Sequence, residues 1–215
     1  MPQKIQIQLA PRDAEMDHVI AVHAARALAI SPNDIAKCIV ERRSIDARGK
    51  NIKILLSLCV VAHGEQYNEL PDEDRFLLGD VRSAEEVHIV GSGPAGLFAA
   101  LSLIENGMKP IVLERGLPVE SRKKDVAALN ASGQLSEDSN WCFGEGGAGT
   151  FTDGKLYTRS TKRGNVKKII NTFVEFGADK SIRELAHPHI GTDILPSIVK
   201  NIRQAIVDCG GEFRF

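Results

Sequence analysis

Three glycines, Gly91, Gly93 and Gly96, lie between a short apolar run and a helix-forming run, in the spacing G-x-G-x-x-G. The apolar residues Val87, Ile89 and Val90 predict a short strand directly before them. In this spacing the first glycine permits a tight turn, the second lets backbone approach a phosphate, and the third lets the helix pack closely on the strand. Free N–H groups and the dipole at the start of a helix both attract negative charge. The pattern therefore predicts a binding site for the pyrophosphate of a dinucleotide.

A second strand, predicted over residues 111–113, follows the helix and ends in Glu114. An acid at this distance from the glycines can accept hydrogen bonds from an adenosine ribose. The alternative is a solvated acid at a strand end, but open α/β sheets bind ligands at the carboxyl ends of their strands, which favours the ribose. Arg115 has two interpretations, contact with a 2′-phosphate or cover of an adenine face, and we favour the second.

A second glycine-rich segment spans residues 144–149 and contains four glycines, which exclude a stable helix or a central strand. Such a loop can present consecutive N–H groups to a phosphate or a ring edge. Trp141, Phe143 and Phe151 flank it and are expected to anchor it against a core; the alternative is an ordinary flexible loop. Lys155 is followed by Leu156 and lacks the spacing of a P-loop, which disfavours a nucleotide triphosphatase.

Composition limits the classes of partner. The 215 residues are 43% hydrophobic, and 27 Lys and Arg against 28 Asp and Glu give a formal net charge of −1. This balance favours neither nucleic acid nor an anionic membrane. The N-terminus lacks the apolar segment of a signal peptide, and the longest apolar stretch, residues 52–62, is too short to cross a bilayer. We therefore predict a cytoplasmic protein with no nucleic-acid or membrane partner.

Cysteines and histidines give no clear metal site. The four cysteines are scattered with no C-x-x-C pair, so neither a disulfide framework nor a zinc site is expected, and three of them are interpreted as small buried hydrophobic residues. Cys142 is a weak candidate for a redox thiol. His187 and His189, with Asp193 nearby, could hold a metal, but no third strong ligand is evident, so hydrogen-bonding or surface roles are favoured.

Hydrophobic periodicity divides the chain into two predicted domains, 1–80 and 81–215. In the first, residues 4–9 predict a strand, 14–29 a helix, 31–39 a short helix begun by Ser31, and 43–47 and 52–63 two further strands. Residues 71–82 read as a charged connector. In the second domain, further helices are predicted at 166–176 and 194–208, and a last strand begins at Glu212. The predicted fold class is α/β, a Rossmann-like domain preceded by a small α+β domain.

Three motifs together resemble one family. G-S-G-P-A-G, the strand I-V-L-E-R-G and the loop G-E-G-G-A-G-T-F-T-D-G-K-L are similar to those of bacterial FAD-dependent proteins described as NAD(FAD)-utilizing dehydrogenases. The resemblance extends to the N-terminal domain, where residues 43–48 read R-S-I-D-A-R, as is typical of that family. It therefore covers nearly the whole chain, and the two longer motifs are far more specific than the glycine spacing.

The resemblance implies FAD rather than NAD in the first dinucleotide site, with NAD(P)H as a candidate electron donor and an unknown small-molecule substrate. It implies that Glu114 and Arg115 contact the adenosine end of FAD. The inner part of FAD would contact the loop at Gly146, Gly147 and Gly149. The pyrophosphate would be held by Gly91, Ser92, Gly93, Pro94, Ala95 and Gly96. No catalytic acid or base can be named.

Family members are much longer, and their late flavin motif, an apolar strand ending in Gly-Asp, is missing here. The chain ends at Phe215 just as a strand begins. We therefore expect an N-terminal fragment with an incomplete FAD-binding domain and no substrate domain. Besides an FAD-dependent oxidoreductase, two functions stay open: an NAD(P)-binding reductase without flavin, which leaves the second glycine loop without a purpose, and a non-catalytic binding module.

Overall fold

The computed structural model describes residues 1–68, 71–156, 164–191 and 193–215. These residues form two compact units. Unit 1 contains Met1–Pro71 and Lys180–Pro188, and unit 2 contains Asp72–Asp179 and His189–Phe215. The first unit thus includes a short segment from late in the chain, which the predicted boundary at residue 80 does not anticipate.

Unit 1 is an antiparallel three-stranded sheet with one helix. Its elements in chain order are β1 (Gln3–Leu9), α1 (Asp17–Leu28), β2 (Ile35–Asp46) and β3 (Lys53–Ala62). β3 lies between the other two strands, and its residues alternate toward one core. That core joins α1 to the sheet and contains Ile7, Leu9, Ala14, Ile20, Ala24, Ile54, Leu56, Leu58 and Val60.

The predicted short helix through Ile39 is wrong. Ser31 does cap a helical turn, since its hydroxyl accepts from the Asn33 N–H and its own N–H donates to Asp34, but the turn covers only Pro32–Asp34. β2 begins immediately afterwards and pairs with β3 from Ile35 onward. Several β-branched residues favour a strand here, so pairing with a distant strand outweighs the local capping signal.

The late segment of unit 1 extends the edge of β2. The Arg43 N–H donates to the Glu184 carbonyl at 2.6 Å, and the Ala186 N–H donates to the Arg43 carbonyl at 3.0 Å. Arg43 and Leu185 form a parallel bridge. The first residue of the R-S-I-D-A-R motif therefore pairs through its backbone with a segment about 140 residues later in the chain.

Unit 2 contains a parallel sheet with helices. Its strands are β4 (Glu86–Val90), β5 (Lys109–Leu113) and β6 (Glu212–Arg214), in the order β4-β5-β6. The helices are α2 (Pro94–Glu105), α3 (Val119–Ser132), α4 (Val166–Glu175) and α5 (Leu195–Asp208). β5 is the central strand, and Ile111 and Val112 on it are fully buried, as a parallel strand covered on both faces requires.

Helix α3 was not anticipated from the sequence, because the run 122–125 is polar. Its buried residues are Val119, Arg122 and Val126, spaced three and four apart on one face. Because the middle residue of this buried face is an arginine, the hydrophobic periodicity that predicts a helix is absent from the sequence. None of the helices within the described ranges has the length and hydrophobicity that a membrane span requires.

Candidate functional site

The turn after β4, residues 91–96, is here called the fingerprint turn. Gly91 has φ +93°, and its N–H donates to the Leu113 carbonyl of β5 at 2.7 Å. A Cβ on Gly96 would lie 1.9 Å from the Gly91 carbonyl oxygen and 3.4 Å from a methyl of Ile89. The turn and the start of α2 are thus packed together so closely that only glycine fits at position 96.

Gly93 differs from its two neighbours in the fingerprint. Its φ is −70°, and a Cβ there would meet only the Cα of Gly147, at 3.9 Å. The protein itself therefore leaves room for a Cβ at this position. Pro94 and Ala95, which open α2, are exposed, and the first N–H groups of a helix have no partner within it. An open backbone surface beside unsatisfied donors fits a phosphate group.

Glu114 follows β5 and lies against the fingerprint turn. One carboxylate oxygen accepts the Ser92 N–H at 2.7 Å and the Ser92 hydroxyl at 2.8 Å, and the other accepts the Gly116 N–H at 2.9 Å. Partial burial raises the pKa of Glu114, but these hydrogen bonds outweigh burial and lower it overall. The acid therefore fixes the turn. This structural role was not predicted from the sequence, which indicated only ribose binding for Glu114.

Arg115 is exposed, and its side chain contacts Asp138 and Phe143. Its Nε lies 2.9 Å from an Asp138 carboxylate oxygen, and its guanidinium lies 4.7 Å from the centroid of the Phe143 ring. Stacking on an aromatic face is available to its planar cation. The predicted contact with adenine stays a prediction.

The second glycine-rich segment, residues 144–149, is here called the glycine loop, and it lies against the fingerprint turn. Gly144, Gly146 and Gly147 have φ of +109°, +84° and +73°. The Gly146 N–H donates to the Ser92 carbonyl at 2.9 Å. A Cβ on Gly147 would lie 3.1 Å from Pro94 and 3.4 Å from Gly93. The fold thus joins two motifs that are about fifty residues apart in sequence.

Gly149 lies at the exposed end of the glycine loop, and nothing approaches the position of a Cβ there. Its carbonyl accepts the Thr152 N–H at 3.1 Å and the Thr152 hydroxyl at 2.7 Å. Of the three predicted loop residues, Gly146 and Gly147 contact the fingerprint turn directly, whereas Gly149 forms the turn that follows.

Arg122 of α3 is the residue that the sequence analysis missed. Its side chain is fully buried and donates to the carbonyl oxygens of the glycine loop and of the residues before it. The distances are 2.7 Å to Glu145, 2.8 Å to Gly147, 2.9 Å to Asn140, 3.0 Å to Trp141 and 3.2 Å to Gly144. Burial lowers the pKa of Arg122, but a guanidinium stays charged in proteins. One buried cation therefore organises the loop.

The predicted anchoring of the glycine loop by aromatic residues is wrong for two of the three. Trp141 is 38% exposed and Phe143 is 50% exposed. Phe151 is only partly exposed, and its ring contacts the Trp141 ring edge-on. The Arg122 guanidinium lies over the Phe151 ring, 5.2 Å from the centroid of that ring. Hydrogen bonds to a buried arginine replace the expected apolar anchor, so the loop is not an ordinary flexible one.

Glu145 is the second buried charge at this loop. One of its carboxylate oxygens accepts the Val119 N–H at the start of α3 at 2.7 Å and lies 2.6 Å from an Arg203 nitrogen of α5. The other oxygen is buried and accepts no hydrogen bond. Burial raises the pKa of Glu145 to about 6, although Val119 and Arg203 both oppose the increase. The loop thus connects two helices through a carboxylate that is costly to ionise.

The weaker candidates are the histidines and cysteines. No group of three or more His, Cys, Asp or Glu residues that could hold a metal occurs in the part of the chain that the structure describes. All four cysteines are free; Cys59 is buried, Cys38 and Cys209 are half-buried, and Cys142 is exposed. Cys142 has no cysteine partner for a disulfide, and its role as a redox thiol stays a prediction.

Comparisons with known proteins give two family matches. Residues 84–124, which contain the fingerprint turn, Glu114 and Arg122, match a family described as "FAD binding domain". The match supports a FAD-binding oxidoreductase family. Residues 1–61, most of unit 1, match a family described as "Domain of unknown function (DUF8436)". The FAD binding domain match thus includes the fingerprint turn, whereas the glycine loop lies outside both matched ranges.

One relative matches both units. A protein of Clostridium beijerinckii (strain ATCC 51743 / NCIMB 8052), described as "Uncharacterized protein", is 38% identical over 212 residues. The match covers 92% of this chain and 39% of the relative. The chain therefore spans about two fifths of that relative's length.

Proposed function

We propose that unit 2 binds FAD between the fingerprint turn and the glycine loop, and that the chain contributes this site to an FAD-dependent oxidoreductase of the NAD(FAD)-utilizing dehydrogenase type. The single observation that carries the proposal is the direct contact of Gly146 and Gly147 with Ser92, Gly93 and Pro94. It combines with the match of residues 84–124 to a FAD binding domain.

The residues present fit a dinucleotide phosphate. Because Gly93 has no Cβ, the gap between it and the glycine loop stays open. Helix α2 begins with a proline, and the other N–H groups of its first turn are available to a ligand. Glu114, held by Ser92 and Gly116 at the end of β5, is at the position from which an acid contacts ribose in such sheets. The glycine loop would contact the inner part of FAD.

Bound FAD would supply hydride and electron transfer, and the protein would supply binding and orientation. NAD(P)H is the proposed electron donor, and the substrate is a small molecule of unspecified class. These parts of the proposal rest on the resemblance of three motifs. The activity of the longer protein represented by the relative is likewise a proposal.

Replacing Gly93 tests the site assignment. Gly93→Val should leave unit 2 folded, because the space around this position is open, and should weaken FAD binding by at least about a hundredfold by occupying the place of the phosphate. Gly79→Val is the control, since Gly79 is exposed, has no atom within 4 Å of the position of a Cβ and lies outside the site, whereas Gly93 is half-buried. Flavin fluorescence titration measures both, with circular dichroism as the check of folding.

Unchanged FAD affinity in Gly93→Val would show that the assignment is wrong. Binding of NAD(P) with no binding of FAD by the unaltered chain would instead favour the reductase without flavin.

A further inference from the structure

Arg122 directs the peptide groups of the glycine loop. The carbonyl oxygens of Gly144, Glu145 and Gly147 all point at its guanidinium, at 3.2, 2.7 and 2.8 Å. In a trans peptide the C=O and N–H groups point in opposite directions. The N–H groups of the three following residues, Glu145, Gly146 and Ala148, must therefore point away from Arg122.

Two of these three N–H groups have acceptors. The Glu145 N–H donates to the Leu117 carbonyl at 3.2 Å, and the Gly146 N–H donates to the Ser92 carbonyl at 2.9 Å. The second bond shows that the side of the loop opposite Arg122 includes the fingerprint turn. Ala148 is exposed, and its N–H has no acceptor among the described residues. One donor in the series is left available beside the fingerprint turn.

The charge of Arg122 makes this donor more attractive to an anion. The acceptors of its guanidinium among the described residues are uncharged, namely five carbonyl oxygens and the Thr150 hydroxyl at 3.5 Å. The carboxylates of Glu114 and Glu145 also stabilise this cation electrostatically, although burial penalises its charge. The field of a buried charge is weakly screened, so an anionic group on the far side of the loop would be attracted by it.

We propose that the Ala148 N–H binds a phosphate oxygen of the dinucleotide, and that Arg122 is the positioning residue that turns this N–H toward the ligand. The inference rests on the proposed function and adds to it a ligand-binding donor and the residue that orients it. Gly146 and Gly147 supply the contact with the fingerprint turn, whereas Ala148 supplies a hydrogen bond to the ligand.

The test removes the N–H. Ala148→Pro deletes the donor and also restricts the backbone of residues 147 and 148, whereas Ala148→Ser keeps the donor. The ratio of their FAD dissociation constants, compared between two backgrounds, therefore reports the hydrogen bond. Loss of a hydrogen bond to a charged group predicts a ratio of about ten. In an Arg122→Lys background, where the planar fork is lost, the ratio should fall below about two. An arginine that only stabilised the fold would lower the melting temperature but leave the ratio at about ten.

A second measurement needs no folded variant. In the unaltered chain labelled with ¹⁵N, saturation with ADP, which carries the pyrophosphate without the flavin, should move the Ala148 amide proton downfield. A Pro-to-Ser ratio near one, an equal ratio in both backgrounds, or an unmoved Ala148 resonance with ADP bound would each overturn the inference while FAD binding stands. Absence of saturable FAD binding by the unaltered chain would overturn the proposed function and this inference together.

Discussion

The fingerprint turn and the glycine loop face each other, yet they are shaped by different means. In the fingerprint turn, two glycines of one short motif shape the backbone: Gly91 supplies the positive φ and Gly96 permits the close approach, and Glu114 then holds the turn through Ser92. In the glycine loop, three positive φ angles are held by Arg122, which lies more than twenty residues earlier on another element. A short motif can therefore describe the first segment, whereas the second depends on a contact that no local pattern contains.

This difference predicts that the largest single effect lies outside both glycine segments. Arg122→Met should destabilise unit 2 by about 3–5 kcal/mol, because it leaves five carbonyl oxygens without their buried donor. Urea unfolding followed by fluorescence of Trp141, the single tryptophan, measures the change. Lys123→Met, at an exposed neighbour on α3, is the control and should stay within about 0.5 kcal/mol. Equal stabilities of the two variants would contradict the role of Arg122.

The next largest effect should separate two glycines of the same motif. Gly96→Ala should cost about 2–3 kcal/mol, because the new Cβ would lie 1.9 Å from the Gly91 carbonyl oxygen and the start of α2 must move. Gly93→Ala should change the free energy of unfolding by less than about 0.5 kcal/mol, since its Cβ meets nothing closer than 3.9 Å. The same urea experiment compares them. A similar loss in both variants would mean that Gly93 is required by the fold and not by a ligand.

The same contrast explains what sequence reasoning could reach. The strand, turn, helix and second strand at 86–113 were predictable because periodicity, glycine spacing and helix stops agree within thirty residues. α3 and the beginning of β2 were not. Arg122 reads as surface charge until its carbonyl partners are known, and Ser31 gives a true capping signal for a turn that ends at Asp34.

Of the candidate site, the sequence could name both glycine segments but not how they meet. The Gly146 to Ser92 hydrogen bond and the two buried charges depend on the tertiary fold. One signal was available: an arginine at i+3 from Val119 and four before Val126 has the spacing of a buried helix face. A charged residue on an otherwise apolar helix face indicates hydrogen-bond partners that are buried with it.

Glu145 predicts a pH effect on the glycine-loop side. Its folded pKa, about 6, is above the ordinary value of 4.5, so the fold favours the protonated form. The group therefore opposes stability above pH 6, and this cost disappears as the pH falls through 6 toward 4.5. The difference corresponds to about 2 kcal/mol. Relative to Glu145→Gln, the unaltered chain should gain about that much between pH 7.5 and pH 4.5 in urea unfolding. Parallel pH profiles of the two proteins would count against a costly buried carboxylate.

Glu114, on the fingerprint side, should show the opposite sign and the smallest effect. Hydrogen bonds from Ser92 and Gly116 lower its pKa overall despite partial burial, so the fold favours the ionised form. Its stabilisation is therefore present above the ordinary pKa of 4.5 and is lost as the pH falls through the lowered folded value. Glu114→Gln keeps one carbonyl acceptor and should cost about 1 kcal/mol at pH 7.5. The stability lost in Glu114→Gln should shrink as the pH falls, and so should the stability gained in Glu145→Gln. The free energies of unfolding of both variants should therefore approach that of the unaltered chain at low pH, one from below and one from above. A Glu114→Gln variant as stable as the unaltered chain at pH 7.5 would mean that this carboxylate is kept for a ligand alone and that Gly91 and Gly96 shape the turn without it.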